Sequence, residues 1–143
     1  TTGGDIFGDL ELCANALGIC DDACETAMRY AKSEEQGGQK LFAQQRIQLQ
    51  LNRMFALTEA LRSFVLRVAW EHDNHIHSCN AGLAMNLSTD IVQEVTELYM
   101  EIRGAQGCRM DHHSDKLVRD AFIWSHLAGD SVQRMKVSRR LAA

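Results

Sequence analysis

Apolar and small residues return every three or four positions along most of this chain, and no proline interrupts them. The series Leu10, Cys13, Leu17, Cys20, Cys24, Ala27 and Ala31 gives a helix one stripe to bury. A second series, Ile47, Leu51, Met54, Leu61, Val65 and Val68, marks a helix of about thirty residues, ~45 Å long. A third, Leu87, Ile91, Val95, Leu98 and Ile102, stops at Gly104, a residue suited to a left-handed helix cap. The spacing predicts long helices near residues 9–32, 40–73 and 78–103, with no β-strand of consequence. Ser114 reads as the N-cap of a short helix over 114–121, and Asp130 or Ser131 as the cap of a last one over 130–141. The expected fold class is all-α: an up-down bundle of three long helices plus two short C-terminal helices. At 143 residues the chain suits a single domain, 1–143, burying roughly 68–70% of its unfolded surface.

Composition removes several classes of function. A formal charge of -4, from 19 acidic and 15 basic residues, provides no broad cationic field for nucleic acid or an anionic membrane. No apolar run approaches the ~18 residues of a membrane span, and Thr1-Thr2-Gly3-Gly4-Asp5 lacks a signal pattern, so the sequence reads as soluble and cytoplasmic. The five cysteines, Cys13, Cys20, Cys24, Cys79 and Cys108, are odd in number and contain no C-x-x-C pair. Reduced core thiols are favoured over disulfides or zinc. His72, His75, His77, His112 and His113 read as solvated loop residues, and no metal site is expected.

Short motifs carry more than the bundle does, because a fold alone does not specify a function. Tyr30-Ala31, Gly38, Gln45, Glu59-Ala60 and Trp70 to Asp73 are followed by Gly104-Ala105-Gln106-Gly107, Lys116-Leu117-Val118-Arg119-Asp120-Ala121 and Gly129-Asp130-Ser131-Val132-Gln133-Arg134. Their order and spacing, from about Gly8 to Leu141, resemble the C-terminal all-helical domain of the acyl-CoA dehydrogenase family. The resemblance implies a larger flavoprotein with two further domains ahead of this one. FAD would lie between the middle β-domain and this bundle, part of it touched by a neighbouring subunit's bundle. A carboxylate would take the α-proton of an acyl-CoA thioester while hydride passes to the flavin.

Departures from the family pattern shape the expected chemistry. The commonest catalytic Glu of the family falls at Ala128, and the alternative base position, near the start of the first helix, is Gly8. Glu11, three residues on, is a weak candidate base; an exposed first-turn glutamate facing the helix dipole is the simpler reading. The Arg, Phe, Gln and second Gly expected toward flavin are Glu34, Gly37, Glu101 and Ala105. Replacing Arg by Glu beside a pyrophosphate turns attraction into repulsion, so this chain alone is expected not to retain FAD. Gln44, Gln45, Gly104, Gly107, Ser131 and Gln133 remain as cofactor-binding candidates.

Arg119 suits a tie between its short helix and the bundle, and Arg134, Lys136, Arg139 and Arg140 complement the last helix dipole or face CoA phosphates. The expected function is the C-terminal part of an acyl-CoA dehydrogenase-type oxidoreductase, contributing flavin and substrate contacts and packing in a dimer or tetramer. Two alternatives belong to other classes. One is a non-catalytic degenerate subunit beside a related partner. The other is a flavin-dependent monooxygenase of the same superfamily, to which His126 points.

Overall fold

The structure is a computed structural model that describes residues 6–108, 113–128 and 131–143, without the side chains of Ile6, Phe7, Gln106, Cys108, Ala128, Ser131, Gln133 and Arg134. Five helices follow in order: α1 (Ile6–Ser33), α2 (Gln45–Asp73), α3 (Asn80–Arg103), α4 (His113–Ala128) and α5 (Ser131–Ala142). Between α1 and α2 a two-stranded hairpin pairs β1 (Glu35–Gln36) with antiparallel β2 (Gln39–Lys40) and leads into a 3-10 turn, Leu41–Ala43. This delays α2 to residue 45. Gly37 and Gly38, at φ 66° and 82°, make the turn between the strands, a conformation closed to the Phe that the family pattern places at 37.

The core forms where the three stripes meet. α1 contributes small residues, Cys13, Ala16, Cys20, Ala23, Cys24, Ala27 and Ala31, all at most 2% exposed, which lets α2 and α3 approach closely. Leu10 and Leu17, expected inside, lie half-buried at its edge. All six expected residues of α2 are buried. On α3 the stripe is Ile91, Val92, Val95, Tyr99 and Ile102, whereas Leu87 is 38% exposed, since Ser88 and Ala84 take the inward face. Core hydroxyls bond back to their own helices: Thr58 to the Met54 carbonyl at 2.9 Å, Ser88 to Ala84 at 2.7 Å and Thr96 to Val92 at 2.8 Å. Burial pushes the Cys20 thiol up to about 12, and Cys13, Cys20, Cys24 and Cys79 are free thiols. The side chain of Cys108 lies outside the described residues.

Helix ends depart from the sequence reading in four places. α2 closes through His75 at φ 56°, whose N–H bonds the His72 carbonyl at 3.0 Å while Ile76 N–H bonds Glu71 at 2.9 Å. That is a Schellman close with histidine in the position usually held by glycine. His72 is therefore helical and half-buried, not a loop residue. Gly104 has the expected positive φ of 59°, but ψ is -142°, outside the left-handed helical well and open essentially only to glycine. α4 runs to Ala128 rather than 121, because Ala121, Trp124 and Ser125 continue a buried face beyond Leu117. Ser114 sits inside its first turn, not at the cap, and its hydroxyl bonds the Gly107 carbonyl at 3.2 Å. Asp130, the other expected cap, lies outside the described residues, and α5 begins at Ser131.

Candidate functional site

Two places in the bundle gather the residues that carry chemistry. The first is a groove of about 460 Å³ where the ends of α1 and α3 meet the hairpin and the start of α2. Its walls include Tyr30, Glu34, Gln44, Arg46, Glu101, Arg103 and Gly104. Gln44 enters it as the residue preceding α2, whereas Gln45 is exposed and does not line it. Gly104 lines it because its backbone conformation excludes a side chain. Gly107 does not line it but packs against the end of α3, where a Cβ would meet Arg103 Cβ at 2.9 Å and the Met100 carbonyl at 3.1 Å. The side chains of Ser131 and Gln133 lie outside the described residues.

Charges in the groove are mixed. Glu101 accepts a hydrogen bond from Gln50 Nε2 at 2.6 Å. Glu35 pairs with Lys40 at 2.8 Å, which holds its carboxyl below the usual range. Against these stand two guanidiniums that the motif comparison missed, Arg46 and Arg103. Arg103 lies over the Tyr30 ring, 4.3 Å from its centroid, so its planar fork is held in the wall. Two arginines, an amide and a glycine backbone thus line one cleft.

The second place is the end of α1 and α4. His113 Nε2 meets Asp22 at 2.8 Å, and Trp124 Nε1–H donates to the Leu12 carbonyl at 2.8 Å. From Asp22 back to Leu12 is ten residues, and from His113 on to Trp124 is eleven, so the helices run antiparallel in near-equal steps. Gly8, four residues before Leu12, and Ala128, four residues after Trp124, therefore lie toward the same end of the two helices. The two alternative base positions thus share one end of the domain. A Cβ at Gly8 would meet no described atom within 4 Å, so the space there is open.

Glu11 is exposed, about 60° around α1 from Gly8. It stands in the second turn; the first-turn acid is Asp9, so the helix-dipole reading of Glu11 does not hold. His126 is exposed and stacks on Phe122 at 4.4 Å, about 200° around α4 from position 128. Arg119 does not reach the bundle: it pairs within α4 with Asp115 at 3.0 Å. Lys136, Arg139 and Arg140 are exposed on α5. Among the described residues no three His, Cys, Asp or Glu cluster as a metal site, and no helix is long and apolar enough to cross a membrane.

Known proteins share this fold. Residues 8–142 match the family model of the acyl-CoA dehydrogenase C-terminal domain. The chain belongs to the acyl-CoA dehydrogenase family, as its C-terminal helical domain. It is 28% identical over 136 residues to a probable acyl-CoA dehydrogenase of Bacillus subtilis (strain 168), covering 94% of this chain and 36% of that protein. Butyryl-CoA dehydrogenase from Megasphaera elsdenii superposes with a TM-score of 0.88 at 28% identity, over 95% of this chain and 36% of that one. PigA, solved with FAD and proline, shares the fold at a TM-score of 0.88 and 18% identity, over 96% of this chain and 36% of that one. The chain therefore spans about a third of the length of these relatives.

Proposed function

We propose that this chain acts as the helical domain of an FAD-dependent acyl-CoA dehydrogenase-type oxidoreductase, supplying one wall of the acyl-thioester cleft, a nucleotide groove and packing surface for an oligomer. The observation that carries this reading is the antiparallel run of α1 and α4, which sets Gly8 and Ala128 toward the same end of the bundle. The resemblance to the family places its alternative base positions at Gly8 and Ala128, which supports reading that end as the reaction site. Bound FAD supplies the two-electron acceptor of the reaction.

This chain's part is to place a proton acceptor. Glu11 is the exposed carboxylate beside position 8, and a glutamate side chain is long enough to swing through a helical offset of one residue in face. It accepts the α-proton, and the β-hydrogen with its bonding pair would leave as hydride to the flavin when that group is bound. The full-length protein, reduced anaerobically by an acyl-CoA, tests this. Glu11→Gln should slow flavin bleaching by ~10²–10⁴-fold with flavin still bound. Unchanged bleaching would remove Glu11 from the mechanism.

A second reading has its own observation: neither converging position bears a carboxylate. On that reading the domain belongs to a non-catalytic subunit whose partner carries the base. Flavin that no acyl-CoA bleaches in the unaltered protein, but that bleaches in Ala128→Glu, would select it.

A further inference from the structure

α2 rests on α1 and α3 along one side and presents the other side to solvent. On that outer side Leu49, Ala56, Ser63 and Trp70 recur every seven residues, all of them exposed, Leu49 at 64% and Trp70 at 58%. Seven residues fall ~20° short of two full turns, so the four hold one line along the helix, ~32 Å from end to end. This is the spacing of a seam between two helices, and no described residue covers it. The line is symmetric about its middle, since the midpoints of the Leu49–Trp70 pair and of the Ala56–Ser63 pair both fall between Glu59 and Ala60. An antiparallel second copy of α2 would therefore set Leu49 of each helix against Trp70 of the other, while small residues meet at the centre, where two backbones come closest. The charges beside the line are already paired within the chain: Arg53 with Glu94 at 2.8 Å, Arg62 with Asp21 at 2.5 Å and Glu59 at 3.0 Å, and Arg67 with Glu71 at 3.0 Å. Two copies can meet there without opposing like charges.

We propose that two copies of this chain dock α2 against α2 in an antiparallel, two-fold pair, with Trp70 of each copy seated on Leu49 of the other. The seam rests on the packing part of the proposed function and not on its flavin chemistry, and it gives that packing a face and a register. An antiparallel pair also opposes the two helix dipoles favourably. A contact one helix wide is smaller than the ~800 Å² per partner of a standard interface, so the dimer formed through this seam is reversible.

Sedimentation and tryptophan emission of this chain across a concentration series test the assignment. Concentration should produce a dimer and move the Trp70 emission to the blue, while Trp124, buried in the single chain, contributes a constant background. Trp70→Ala should weaken the dimer on the order of 10- to 100-fold, as loss of an aromatic anchor does. Ala60→Glu, which sets a carboxylate against Glu59 of the other copy, should weaken it at least as much. Both positions are exposed, so neither variant threatens the fold. A short thiol crosslinker reads the register: Leu49→Cys mixed with Trp70→Cys should join those two positions, whereas neither variant alone should join to itself there. A monomer up to ~1 mM, a Leu49→Cys chain that links to itself at residue 49, or a dimer unmoved by both Trp70→Ala and Ala60→Glu would overturn the proposal. The last two results would leave an oligomer built on another register or face, whereas a monomer would remove the packing role as well.

Discussion

Glu71 joins the second and third helices, and its removal should cost the fold more than any other single surface-proximal change. Its side chain is 7% exposed and accepts four hydrogen bonds: Ser78 Oγ at 2.6 Å, Asn80 Nδ2 at 2.8 and 2.9 Å, and Arg67 Nε at 3.0 Å. The Ser78 and Asn80 bonds, then Arg67, hold its carboxyl below the usual glutamate range despite burial. Hydrogen bonds to a charged group are worth ~1.5–3 kcal/mol each, but Ser78 and Arg67 can turn to water once the carboxylate is gone. Glu71→Ala should therefore cost ~2–3 kcal/mol and Glu71→Gln ~1–2 kcal/mol. For a chain of this size the alanine variant should lose roughly 6–10 °C in Tm.

The pH dependence has a definite sign. A carboxyl whose folded pKa is depressed stabilises fully above its unfolded pKa, ~4.3, and that stabilisation is lost as pH falls through the folded value. Urea unfolding followed by circular dichroism should show a constant gap between wild type and Glu71→Gln from pH 7 to about 5, closing below about 4. A gap that persists unchanged at low pH, or one under ~0.5 kcal/mol at pH 7, would refute the reasoning.

Three further outcomes follow from packing. Gly82→Ala should displace α5, since its Cβ would fall 2.6 Å from Val137 Cγ2; rapid proteolysis after Lys136 or Arg139 would report this, and unchanged cleavage would count against it. Gly107→Ala should cost ~1–3 kcal/mol by crowding Arg103 Cβ and the Met100 carbonyl, measured by denaturation midpoint. The exposed apolar residues Phe122, Ile123 and Leu127 on α4, with Leu66 and Trp70 on α2, should drive self-association to a dimer or tetramer, and a clean monomer in concentrated sedimentation runs would contradict it.

The bundle was legible in the sequence because a helical stripe is a local, repeated signal: Ile47 through Val68 needed only their spacing. Ends were less legible. His75 adopts a left-handed conformation without glycine to announce it, and α4 continued past Ala121 because Trp124 buries its ring against α1 and bonds Leu12, a tertiary contact no local pattern contains. In the groove, comparison with the family pattern registers what is missing at Glu34 and Glu101 but not what is gained. Arg46 and Arg103 lie 57 positions apart in the chain and come to line one groove only on folding. Arg103 beside the glycine break, and Arg46 following Gln44-Gln45, were the available signals. That Gly8 and Ala128 lie toward the same end likewise required the antiparallel register of α1 and α4.

On the proposed function, this bundle belongs to a flavin-bearing protein whose acyl-CoA cleft lies at the α1–α4 end. The absorbance spectrum of the full-length protein as purified, before and after anaerobic addition of an acyl-CoA, tests this most directly. A flavin spectrum that bleaches on addition, and far more slowly in Glu11→Gln, is expected. A colourless protein, to which added FAD does not bind, would contradict it.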